Sequence, residues 1–149
     1  MTETHMITKR LHRLLHENII PFWYPDTIDQ THGGYHLNHD HDGSFLGPGM
    51  KMLVTQARTM WFYAYLYNNG LNEEKYLDAA RHGYDFLINK LWDKKHQGFY
   101  WASDAEGNIT HERKHLYGQG FALYALSEYY LACQKPEVLE WANRLFQVM

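Results

Sequence analysis

Only one cysteine, Cys133, occurs in the 149 residues, so no disulfide can close within the chain. It lies in a helical run and is expected as a small buried hydrophobe. Positive charge is also short: 14 Lys and Arg against 17 Asp and Glu give a net charge of -3. That leaves no cationic surplus to hold a phosphate backbone, which argues against nucleic acid as a partner. No apolar run approaches the roughly 20 residues that cross a bilayer. Met1 to Ile20 alternates charge with leucine, unlike a signal peptide or a membrane span. A soluble, cytoplasmic protein is the expectation.

Apolar and aromatic residues are plentiful instead. The chain is 45% hydrophobic and 16% aromatic, with 12 Tyr, 7 Phe and 5 Trp, and its length suffices for one domain with a real core. Tyr and Trp join a large apolar face to a polar edge, which suits packed helices and carbohydrate clefts alike.

Ile7, Leu11, Leu14, Leu15 and Ile19 recur at helical spacing, predicting an amphipathic helix over 4–20 that Pro21 and Pro25 end. A second helix is predicted over 50–68, stopped by Asn69-Gly70. A third starts at Asn72 as N-cap, with Tyr76, Leu77, Ala80, Tyr84, Leu87, Ile88 and Leu91 as its buried stripe. A fourth covers 115–134. A fifth begins at Pro136 and carries Val138, Leu139, Ala142, Leu145 and Phe146 to the end of the chain.

The polar stretches between helices repeat. Gly34-Tyr35-His36 through Asp42-Gly43-Ser44-Phe45 matches Gly98-Phe99-Tyr100 through Glu106-Gly107-Asn108-Ile109 at an offset of 64 residues. Asp40 answers Asp104, and Gly43 answers Gly107. Each stretch carries an acidic-Gly β-hairpin signal and leads into a helix rich in Ala and Tyr. The unit is therefore helix, hairpin-bearing loop, helix. Such a unit needs neighbours to bury its faces, and the chain holds a little over two. Leu145, Phe146, Val148 and Met149 are expected to lie uncovered, their missing surface coming from a downstream polypeptide or another copy of the chain.

Phe22-Trp23, Gly33-Gly34-Tyr35, Asp42-Gly43-Ser44, Lys51 and Gln56-Ala57-Arg58-Thr59-Met60-Trp61, in that order, resemble the N-terminal region of the N-acylglucosamine 2-epimerase family. That family also takes in cellobiose 2-epimerases and aldose–ketose isomerases such as mannose isomerase. Gly98-Phe99-Tyr100 and the run Lys114 to Tyr129 extend the likeness over nearly the whole chain. The resemblance implies an all-α fold, an (α/α)6 barrel of six helical hairpins. Residues 1–149 would form the N-terminal part of that single domain: two to two and a half hairpins with short β-hairpin insertions.

The resemblance also implies chemistry. Epimerising or isomerising a sugar beside its carbonyl removes and returns a proton at C2, work for neutral histidines. In the family two histidines and a Glu do this from later hairpins, and nothing here matches their motifs. The chain is thus expected to be inactive alone and to need no cofactor. Arg58, in the Gln-x-Arg motif, matches an arginine that points at the sugar's reducing end, where a guanidinium stabilises developing negative charge. Tyr117 resembles a tyrosine of the substrate pocket, and Gln56, Trp61 and Gln119 are further candidates for its lining. Gly118 and Gly120 stand where related sequences often carry bulkier residues. His36, His39, Asp40, His41 and Asp42 form the one cluster that suggests a metal. On a strand, however, only His39 and His41 would share a face, and the Asp42-Gly43 turn accounts for the acids, so no metal is assigned.

Two alternatives remain. An (α/α)6 glycoside hydrolase or lyase needs paired carboxylates, whereas Asp40, Asp42, Asp104 and Glu106 sit in hairpin turns. A helical interaction module without catalysis is the other.

Overall fold

The structure, a computed structural model, describes residues 3–71 and 73–149. Helix α1 (Glu3–Leu14) runs through a π-helical turn, Leu15–Ile19, into α2 (Ile20–Trp23). Pro21 therefore does not end the first helix as its sequence suggested. The Ile20 N–H reaches back five residues to the Leu15 carbonyl, and this wider turn precedes Pro21 in the first turn of α2, where its missing N–H costs little. Pro25 does end it: Tyr24 before it is extended, at φ -119° and ψ 130°.

Strand β1 (Lys51–Met52) leads into α3 (Leu53–Leu66), and a kinked turn follows in which Gly70 adopts φ +103°. Helix α4 (Glu74–Phe86) continues as a π-helical turn to Leu91. The Asn72 cap expected for it falls outside the described residues. Strands β2 (Ala102–Ser103) and β3 (Ile109–His111) form the second hairpin, and α5 (Leu116–Cys133) and α6 (Pro136–Gln147) complete the chain. Gln134, at φ 53°, stops α5, and Pro136 opens α6.

The three strands make one antiparallel sheet in the order β1-β2-β3, pairing Lys51 with Ser103 and Met52 with Ala102. The sheet thus joins one repeat unit to the next. Helices α3 and α5 pack side by side behind it, with α4 against α3 and α6 against α5. Leu53, Ala57, Met60, Ala64, Leu87, Leu91, Ala122, Leu126 and Leu145 are buried in the core between these helices. Leu145 is thus covered by the chain itself, contrary to expectation, whereas Phe146, Val148 and Met149 are exposed. So is the apolar stripe of α1, with Met6, Ile7, Leu11 and Leu14 facing outward.

The repeat is structural. Asp29 and Asp93 each accept from two backbone N–H groups, of Thr31 and His32 and of Lys95 and His96. Each also pairs with a lysine at 2.6 Å, Lys51 and Lys114 respectively. The bridges Ile28–Tyr35 and Trp92–Phe99 correspond too. The offset is not constant, however. It is 64 from Asp29/Asp93 to Phe45/Ile109, then 63 from Lys51/Lys114 onward, because the second loop is one residue shorter before its helix.

Candidate functional site

The inner helices α3 and α5, together with the end of α2, bound an open cleft of about 580 Å³. Tyr63 fixes one wall: its hydroxyl donates to the Trp23 carbonyl at 2.8 Å and meets Thr27 Oγ1 at 3.2 Å, tying the α2 terminus to α3. Trp23 and Leu37 line that wall; Val54, Thr55, Arg58, Thr59 and Phe62 form the α3 wall; Phe121 and Tyr124 line the α5 side. Thr55 and Thr59 donate their hydroxyls to the carbonyls of Met52 and Thr55, both at 2.9 Å, so their own helix already engages those groups.

Arg58 is the one cation on the cleft wall among the described residues. Its guanidinium carbon lies 5.4 Å from the centre of the Phe121 ring, a cation–π distance. No carboxylate pairs with it among the described ion pairs. A guanidinium held over an aromatic face with open donors is fit to bind oxygen atoms of a ligand. Tyr117, one helical turn before Phe121, meets it edge to face at 4.9 Å and is 63% exposed. Tyr117, Phe121 and Arg58 therefore form one line across α5 and α3, with Tyr117 beside the cleft rather than in its lining.

Trp61 does line the cleft, but two tyrosines stack on it. Tyr65 stacks on it at 4.7 Å and Tyr124 at 5.1 Å. Its indole N–H is buried without a partner, and that edge is the part of Trp61 with unused bonding capacity.

Gln56 and Gln119 are placed elsewhere. The Gln56 Oε1 accepts from the Tyr35 N–H at 2.8 Å and its Nε2 donates to the Tyr35 carbonyl at 2.9 Å. Gln119 clasps Phe99 in the same way, at 2.8 Å twice. Both carboxamides are fully engaged by backbone that would otherwise be buried unpaired, and neither lines the cleft. They fasten each hairpin loop to its inner helix. The spacing in sequence is similar but unequal, 21 residues from Tyr35 to Gln56 and 20 from Phe99 to Gln119, which masks the correspondence.

Asp29, Lys51, Asp93 and Lys114, which composition and motif spacing had not singled out as a set, form two close aspartate–lysine pairs. Burial alone would raise the Asp29 carboxyl, but the Lys51 hydrogen bond and the His32 and Thr31 N–H groups outweigh it and leave its pKa below the usual value. The Lys114 hydrogen bond, acting against burial, holds Asp93 well below that value. His36 goes the other way for a base: burial lowers its pKa more than the nearby Asp29 raises it. Its Nε2 stands 3.6 Å from Asp29 Oδ1. His41 pairs with the adjacent Asp40, and among the described residues no three His, Cys, Asp or Glu side chains converge as metal ligands. No described helix is long and apolar enough to cross a membrane.

A sequence profile of the N-acylglucosamine 2-epimerase (GlcNAc 2-epimerase) family matches residues 33–149. A cellobiose 2-epimerase of Dictyoglomus turgidum is 42% identical over 137 residues, which is 91% of this chain and 34% of that protein. A D-mannose isomerase of Marinomonas mediterranea is 31% identical over 111 residues, 74% of this chain and 27% of its own length. Among solved structures, the cellobiose 2-epimerase from Bacillus thermoamylovorans superposes with a TM-score of 0.90 at 33% identity, covering 97% of this chain and 37% of that one. The chain thus spans about a third of the length of the relatives it matches, and its fold is the corresponding portion of their (α/α)6 barrel.

Proposed function

The chain belongs to the N-acylglucosamine 2-epimerase family, and on that premise we propose that it forms the first two hairpins of a barrel that epimerises or isomerises a small sugar at the carbon beside its carbonyl. The observation that carries this is Arg58, a guanidinium without a carboxylate partner among the described ion pairs, in a cleft otherwise lined by apolar and aromatic residues and two threonines. Removing the C2 proton of an open-chain sugar pushes negative charge onto the carbonyl oxygen. A fixed guanidinium binds that oxygen more tightly as the charge grows, which is how it lowers the barrier. The exposed Tyr117 hydroxyl, beside the cleft and in line with Phe121 and Arg58, is the group here that orients a further sugar hydroxyl.

Proton transfer itself needs a group that titrates near neutrality. No His, Asp or Glu is among the described residues lining the cleft, so the chain's share of the work is binding and charge stabilisation. The acid and base come from hairpins outside these 149 residues, in the cytoplasm, without a cofactor.

The test is an isomerisation assay on mannose, N-acetylmannosamine and cellobiose. It uses the chain alone, and the chain mixed with a polypeptide carrying the part of the Dictyoglomus turgidum enzyme beyond the region aligned here. The chain alone should be inactive and the mixture active. Arg58→Ala in the mixture should lower kcat/KM by about 100-fold or more with unchanged circular dichroism. Turnover by the chain alone, or an Arg58→Ala mixture as active as the parent, would sink the proposal.

A further inference from the structure

The two repeat units treat the same side chain differently. Lys51 Nζ donates to three acceptors: Asp29 Oδ2 at 2.6 Å and the Gly33 carbonyl at 2.6 Å in its own unit, and the Ala105 carbonyl at 2.8 Å in the hairpin of the next. Its counterpart Lys114 donates to Asp93 alone among the described residues. The Lys51 side chain is 3% exposed and that of Lys114 is 27% exposed. An ammonium has three donors, so Lys114 retains the two that Lys51 gives to carbonyls, one of them across the unit boundary.

The residues around each lysine differ in the same sense. Leu53, two residues after Lys51, is wholly buried, and its N–H donates to the Trp101 carbonyl of the second unit at 2.9 Å. Leu116, two residues after Lys114, is 64% exposed. The backbone of Lys51 and Met52 pairs with Ser103 and Ala102, whereas Lys114 and His115 lie outside every described strand. A recess of about 240 Å³, lined by Gly98, Lys114, Leu116 and Gln119 among others, lies beside them.

We propose that Lys114 to Tyr117 is a docking edge for a third helix–hairpin–helix unit. There Lys114 Nζ captures a main-chain carbonyl of that unit's hairpin, as Lys51 captures that of Ala105. The established contact between the first two units supplies the template, and it also sets what the partner must look like. Gly118 lets the second unit approach the first: a Cβ there would stand 3.0 Å from Leu53 Cδ2 and 3.1 Å from the Trp101 ring. The partner therefore needs a glycine, or a backbone with equal room, at its own equivalent position against Leu116. The first unit of a second copy carries Thr55 at that place and Leu37 in place of Trp101, so self-docking is the poorer fit.

The inference rests on the chain being part of a larger ring, but its readout is binding rather than turnover. A mixture that binds but does not turn over sugar leaves it standing, and a Lys114→Met chain that binds like the parent overturns it without touching the role of Arg58. The probe is the same downstream polypeptide of the Dictyoglomus turgidum enzyme, titrated calorimetrically against the 149-residue chain. Hydrogen exchange is read at residues 112–118, and thermal melts confirm that each variant folds. Docking should protect those amides. Lys114→Met should weaken binding by about tenfold or more, since a charged donor to a buried carbonyl is lost. Asp93→Asn, which disturbs the same loop but leaves Nζ free to donate, should stay within about threefold of the parent. Equal affinity for Lys114→Met and the parent, protection elsewhere but not at 112–118, or sedimentation showing that copies of the chain close this edge on each other would overturn it.

Discussion

Gln56 holds Tyr35 and Gln119 holds Phe99 through the same pair of hydrogen bonds, and Asp29–Lys51 and Asp93–Lys114 are ion pairs of the same length. The surroundings of the two units nevertheless differ. The first is roofed by the second, which covers Lys51 and Leu53; in the second, the Lys114 side chain is partly exposed and Leu116 faces outward. Within a unit, local chemistry fixes the loop to its helix. Between units, burial depends on the neighbour, so equal residues carry unequal energetic weight.

That inequality can be measured, and the lysines should show it most strongly. Lys51→Met leaves a buried Asp29 carboxylate and two carbonyls without their donor, so urea denaturation should show a loss of about 3–5 kcal/mol, enough to unfold a marginal domain. Lys114→Met in the isolated chain should cost clearly less, because water reaches that site. Equal losses would mean that the second unit is already as tightly roofed as the first.

Leucine truncation is the next contrast. Leu53→Ala removes a fully buried side chain and should cost about 3 kcal/mol, whereas Leu116→Ala should stay within about 0.5 kcal/mol of the parent. The glycines of α5 come third. Gly118→Ala forces Leu53 or Trp101 to move and should destabilise by about 1–2 kcal/mol. Gly120→Ala, whose Cβ would meet nothing within 4 Å, should stabilise by about 0.5–1 kcal/mol through helix propensity. Thermal melts of the two variants should therefore move in opposite directions.

The smallest effect concerns pH. His36 and Tyr100 are counterparts, and only the histidine titrates near neutrality. Because burial lowers the folded pKa of His36 below its ordinary 6.5, the unfolded chain binds the proton more readily. The stability His36 contributes is present above that value and is lost as pH falls below it. His36→Tyr, which copies the second unit, should flatten the fall in melting temperature between about pH 7 and pH 5. An unchanged slope would remove His36 as its source.

Much of this was legible in the sequence. The apolar spacing of α3, α4 and α5, the stop at Asn69-Gly70 and the start at Pro136 follow from side-chain periodicity and backbone sterics, which act within a few residues. The hairpin repeat was legible through its acidic-Gly turns. The continuation of α1 through Pro21 was not, because a π-helical turn leaves no residue signature comparable to a proline. The change of offset from 64 to 63 was hidden by a one-residue shortening of the second loop, and with it the Asp–Lys and Gln pairs that repeat across it. At the site, the motif pointed to Arg58, and the structure puts it on the cleft wall. Gln56 and Gln119 share that motif neighbourhood, yet their carboxamides bind loop backbone. A helix places residues two apart on different faces, and sequence order alone does not say which face meets the loop.

Residue order by itself determined where helices run, where they stop, and that the same loop-and-helix unit occurs twice, because those outcomes depend on torsional preference and local hydrogen bonding. Tertiary structure alone decided which of two matching leucines is buried, which of two matching lysines has a carbonyl from its neighbour, and which residues of α3 face the cleft. The physical reason is that burial and low dielectric are properties of the space between elements, and that space is set by what packs next to each unit.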